Sequence, residues 1–281
     1  MAIKKILKFF DNEDGAYVPK DNISTFIKDD VLQKIGRQVN DDYNYDNDSM
    51  GEWKQVIQEG KNLCKMTWKS RNDPFTNASN YKSSAMAQAA LDFSDRVSYE
   101  ILKPASLIKI QTSKPMGEEN EAPIDRLNQF FNWQLNTQLS EWRDEHEKLM
   151  YDLPHTGTVF KKTYYDTTKQ RIVSDLITYP NFAVDNDTKS MDKLRRFSET
   201  FCLPYNIVEE NMRSGQWNRI DIEQGTEDDR IESDQTDFYE FIEQSTWLDL
   251  DNDGYDEPYV VVIRKETHDV MRITPRYLLK D

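Results

Sequence analysis

The sequence predicts an α+β chain, because its apolar residues follow one period in its first half and another in its second. From Val31 to Leu153 most of them recur at steps of three and four, the spacing that lines up one face of a helix. After Pro154 they alternate with polar residues in short runs separated by turn formers, which is the pattern of antiparallel hairpins. Size allows a core: of 281 residues, 37% are hydrophobic and 12% aromatic, enough to exclude a disordered chain although 31% are charged.

Met1–Phe10 (MAIKKILKFF) begins like a signal peptide, but Lys8 interrupts the apolar stretch and Asp11, Glu13 and Asp14 follow at once. Residues 1–20 therefore read as a short amphipathic arm. No run approaches the roughly 18 apolar residues that span a bilayer, so we expect a chain made in a cytoplasm, with no membrane partner. Residues 21–103 read as a helical part. Val31, Leu32, Ile35 and Val39 form a first stripe, which the spacer Asp41–Asp48, almost without aliphatic residues, is expected to break. Ser49 with Glu52 has the form of a capping box, and Trp53, Ile57, Gly60 and Cys64 fall on the next stripe. The turn-forming DPFTNASN from Asp73 leads into an Ala-rich helix over Ser83–Leu102, with Met86, Ala90, Phe93 and Val97 on one face.

Residues 104–220 read as an α/β part. Leu107, Ile108 and Ile110 suggest a short strand before an exposed Gly and Glu loop. Ile124, Leu127, Phe131, Leu135, Leu139, Trp142, His146, Leu149 and Leu153 then form one continuous stripe, read as a helix of about eight turns. Thr158–Tyr165 and Ile172–Tyr179 make a hairpin around Asp166–Gln170. Asn181–Thr188 is an extended loop, Arg195–Leu203 a strand, and Tyr205–Ser214 a helix ended by Gly215. Residues 221–281 form an acidic, β-rich segment: Asp221–Glu257 carries fifteen Asp or Glu against one Arg. It closes on a second hairpin, Thr246–Leu250 and Tyr259–Lys265, around Asn252, Asp253 and Gly254.

Chemistry is scarce in this pattern. The nine glycines are too far apart for a phosphate-wrapping loop, so no nucleotide cofactor is expected. Three histidines and two cysteines lack ligand spacing. His146 on the apolar stripe reads as a core residue, and Cys64 and Cys202 as core thiols. No nucleophile signature is present, and we expect no catalytic residue. Asp249, Asp251, Asp253, Gly254 and Glu257 fit positions one, three, five, six and nine of a calcium loop, but position twelve is Val260. We read a hairpin turn with solvated carboxylates, the alternative being loose calcium or magnesium binding. The net charge of −15 argues against affinity for nucleic acid, since phosphate binding needs clustered Lys and Arg.

Three segments together resemble the portal proteins of tailed bacteriophages. Asp73–Leu91 (DPFTNASNYKSSAMAQAAL) is similar to a turn that precedes an apolar helix in portals of short-tailed and related phages, although those more often carry bulkier apolar residues at Ser83 and Ser84. Trp142–Phe182, containing LPHTGTVFKKTYYDTTKQRIVSDLITYPNF, resembles the portal helix, Gly turn, strand and return strand. Glu243–Val262 (EQSTWLDLDNDGYDEPYVVV) is similar to a portal hairpin. The resemblance spans roughly residues 50–270, in order and spacing, and implies a portal-type wing with the start of stem and clip. It further implies a ring, commonly of twelve subunits, at one capsid vertex of the virion. That ring conducts double-stranded DNA during packaging and ejection, and docks the terminase large subunit, head-completion or adaptor proteins, and capsid or scaffolding proteins. The family continues past Asp281 into a second stem helix and channel loop, so this chain reads as an N-terminal part, expected alone as a monomer or polydisperse oligomers. A carboxylate-dependent nucleic-acid enzyme and a calcium-binding interaction module are the competing readings.

Overall fold

A computed structural model describes residues 22–66, 72–79, 81, 83–102, 107–111, 121–166, 169–221, 238–250 and 253–276. The arm over residues 1–20 and most of the acidic stretch lie outside them. Among the described residues the helices come mostly first and the strands of two antiparallel sheets mostly after them, which is an α+β architecture. The chain divides into two compact units, residues 1–51 with 181–281 and residues 52–180. The sequence placed its boundaries at 103/104 and 220/221, where composition changes; composition does not register that the N-terminal helix pairs with a sheet some 150 residues on.

In the first unit, β3 (Phe182–Ala183), β4 (Phe197–Pro204), β5 (Phe238–Leu248), β6 (Glu257–Arg264) and β7 (Val270–Pro275) form an antiparallel meander in chain order. Helix α1 (Asp29–Ser49) covers one face: Ile35, Val39 and Tyr43 cluster with Ile242, Val261, Ile263 and Ile273. Helix α6 (Tyr205–Arg213) and Trp217 serve the other, where Val208 and Met212 meet Phe241, Val262 and Met271. A strand covered on both sides has no solvent face to alternate toward, which is why β6 reads Tyr-Val-Val-Val-Ile without a polar break. The outer edge of β7 is occupied: Ile23 N–H donates to Ile273 O (2.9 Å), Asn22 Oδ1 accepts from Ile273 N–H (3.1 Å), and Asn218 N–H donates to Met271 O (2.8 Å). Such capping removes a template for unwanted strand pairing.

Two sequence expectations fail in this unit. The spacer Asp41–Asp48 does not end the first helix, because the stripe continues through Tyr43 and then Asp46, a carboxylate that is fully buried and paired. The final hairpin is larger than expected: β5 begins at Phe238, β7 adds a strand, and the loop after Asn181 contributes β3. Polar residues inside β5, such as Gln244, masked its length by supplying a buried hydrogen-bonding group where an apolar residue was expected.

The second unit holds α2 (Gly51–Cys64), α3 (Ala85–Leu102), α4 (Glu121–Trp133), α5 (Ser140–Thr156) and the hairpin of β1 (Phe160–Asp166) with β2 (Arg171–Ile177). α5 packs on α3 and on β2. The hairpin register runs from Phe160 opposite Ile177 to Asp166 opposite Arg171, close to the expected spans. The single long helix is not formed. Gln134–Gln138 is a π-helical turn, and Leu139 leaves helical geometry at φ −104°, ψ 57°, its N–H reaching back five residues to Gln134 O (2.9 Å). Asn132 and Asn136 aim their amides at the carbonyls four residues before them (2.7 and 2.8 Å), competing with the backbone ladder where it widens. The expected strand at Leu107–Ile110 is not formed among the described residues, and side chains of α4 hold this stretch. Asn132 exchanges two bonds with the Ile108 backbone (3.0 and 2.9 Å), and Asn128 Oδ1 accepts from Ile110 N–H (2.7 Å). Pro154 does not end α5, which runs two residues further to Thr156. Gly157, at φ +70°, closes the helix by donating to Leu153 O (2.9 Å).

Candidate functional site

The β5–β6 turn carries the one metal-like pattern of the sequence, and those of its carboxylates that lie among the described residues accept hydrogen bonds from within the chain. Asp249 accepts from the N–H groups of Asp253 (3.1 Å) and Gly254 (2.8 Å), one on each oxygen, and Asp253 accepts from Tyr255 N–H (2.9 Å). Gly254 sits at φ +87°, a conformation the turn requires and a side chain resists. Glu257 opens β6 buried in the sheet and accepts from the Tyr259 hydroxyl (2.8 Å). Asp251 lies outside the described residues. Among the described residues no group of three or more His, Cys, Asp or Glu is placed to hold a metal ion. What the geometry performs is turn closure: short carboxylate side chains replace the backbone acceptors that a tight turn lacks.

A second polar centre was not visible in the sequence. Arg196, just before β4, reaches α1 and grips Asp46 with two nitrogens, Nε to Oδ2 at 2.7 Å and one terminal nitrogen to Oδ1 at 2.8 Å; its other terminal nitrogen reaches Asp42 at 2.8 Å. The Asp46 bonds hold the guanidinium firmly in its charged form. Burial pushes the Asp42 carboxyl up from its ordinary value, with Arg196 pulling the other way. The cluster joins elements 150 residues apart, so no local spacing could announce it.

In the second unit, α5 and the hairpin bring a few titratable side chains close to Trp142. His146 stacks on Trp142 (4.8 Å between ring centres), and Lys161 of β1 lies 5.3 Å from the same Trp142 ring. Burial lowers the pKa of both His146 and Lys161, and raises that of Glu145, which Asp175 raises further. Each group is thereby pushed toward its neutral form. His146, expected in the core, is half-buried beside Trp142 on α5. Cys64 is half-buried with its Sγ 3.5 Å from His155 Nδ1, a pair that distance in sequence concealed. Cys202 departs from expectation: it is exposed, although it shares the strand phase of buried Ser198 and Thr200.

The three segments singled out in the sequence each cover parts of neighbouring elements. Asp73–Leu91 takes in buried Ala78 and the first turns of α3; Trp142–Phe182 takes in most of α5, its Gly157 cap, β1 and β2, and the first residue of β3; Glu243–Val262 takes in the second half of β5 and most of β6. Comparison with models of known protein families and with curated protein sequences finds no match for this chain.

Proposed function

We propose that the chain is the N-terminal part of a portal protein, a structural subunit of the ring that occupies one vertex of a tailed-phage capsid and conducts double-stranded DNA. The observation that carries the reading is the resemblance in register of three segments to portal sequences, over roughly residues 50–270. In this reading the subunit works by symmetry: a heterologous contact repeated by rotation closes a ring without covalent chemistry. Its partners are further copies of itself, the terminase large subunit, adaptor or head-completion proteins, and capsid or scaffolding proteins.

The test is negative-stain imaging of the protein expressed with whatever coding sequence follows codon 281. Rings of uniform diameter with a central hole are the expected result. Compact particles without a hole, at every concentration tried, would remove the proposal.

A further inference from the structure

Helix α4 is folded with its polarity reversed. Its packed side carries Asn128 and Asn132, whose amides hold the backbone at Ile108 and Ile110. At 100° per residue, Leu127, Phe130 and Trp133 fall on the opposite side, with Phe131 on the flank beside Leu127. They are 47%, 49%, 51% and 36% exposed, and no side chain from Ala122 to Trp133 is buried. The rings already cluster, Phe130 lying 5.7 Å from Phe131 and 6.0 Å from Trp133. A helix in water places its apolar side inward, and a contiguous apolar patch of this size often marks an interaction surface.

We propose that the aromatic side of α4 docks on a second copy of this chain; the choice of partner rests on the ring reading above, while the existence of the surface does not. Area supports a copy as occupant. With a full area of about 200 Å² for each large side chain, the four leave roughly 400 Å² of apolar surface uncovered. A matching patch on the second copy, with the usual polar rim, brings the total to about 1,200–1,400 Å², the lower range of a specific interface. The two longest internal stretches outside the described residues are poor alternatives by composition. Residues 112–120 offer Met116 and residues 222–237 offer Ile222 and Ile231 as large apolar side chains. Residues 1–20, with Ile3, Ile6, Leu7, Phe9 and Phe10, are the competing occupant that the experiment must separate.

The experiment is sedimentation equilibrium on the whole chain from about 1 to about 100 µM, where interfaces of this size associate, with hydrogen exchange read at both ends. The weight-average mass should rise above 33.2 kDa with concentration, and Ile124–Trp133 should gain protection. In Phe130→Glu/Trp133→Glu, at exposed positions, the mass should stay at that of one chain with helix content unchanged. A variant that associates as the parent does, or a parent that stays monomeric without protection in α4, would overturn the inference. So would a monomeric parent that begins to associate once residues 1–20 are removed, since the arm would then be the cover. Rings that persist in the double variant would overturn this surface and leave the ring reading standing. A closed two-copy species lost in the variant would keep the surface and remove the ring.

Discussion

A carboxylate without solvent exposure is tolerated only where its charge is met, and Asp46 is met by both oxygens on one guanidinium. The Asp41–Asp48 run looked like a helix breaker because polar residues on a stripe are usually solvated; here one is sealed under Arg196. Replacing Arg196 by Met should therefore cost more than a surface ion pair would, about 3–5 kcal/mol, because the buried charge is left alone. Asp46→Leu added to Arg196→Met should recover most of that loss, since the pair is then replaced by apolar volume. Urea unfolding of the parent, the single and the double variant decides it. A single variant within about 1 kcal/mol of the parent would mean that water reaches Asp46 and the pair is an ordinary surface contact.

Elements whose stability is set within ten or fifteen residues were legible: α3, α6 with Gly215 after it, and the β1–β2 hairpin stand near their expected spans. Elements that depend on distant partners were not. The Gln134–Leu139 break hides inside a regular apolar stripe, because periodicity records which face is apolar and not whether the backbone ladder is intact. β7 and the full length of β5 draw stability from α1 and α6, far away in sequence. Gly36 shows the same dependence within an element. It sits mid-helix in α1, where Gly is unfavourable, and a Cβ there would lie 2.0 Å from the His268 carbonyl oxygen in the β6–β7 turn. Helix propensity predicts that Gly36→Ala stabilises by up to about 1 kcal/mol. The close approach predicts the opposite, a net loss of about 1–3 kcal/mol as helix and turn are forced apart. Thermal melting of the variant separates the two, and a raised melting temperature would show that the turn yields freely.

At the scale of the molecule, charge is divided as the chain is. Residues 52–180 hold 17 Lys or Arg and 17 Asp or Glu and are neutral; the remaining residues hold 19 against 34 and so carry the whole of −15. That division was readable as composition but had no boundary to attach to until the fold joined residues 1–51 to 181–281. A conduit for DNA benefits from it, because a polyanion sliding past an anionic subunit releases no counterions and finds no place to stick. An enzyme acting on nucleic acid has the contrary need, a basic surface or a metal to hold phosphates. The chain should therefore show no rise in anisotropy with a labelled 30-base-pair duplex at protein concentrations up to roughly 20 µM, even at about 50 mM salt where phosphate binding is strongest. Magnesium or calcium at millimolar levels should leave the duplex intact and the protein's melting temperature unmoved. Binding that weakens with salt, cleavage that needs the metal, or a metal-dependent melting shift would each place a phosphate or cation site on the molecule and count against a passive conduit.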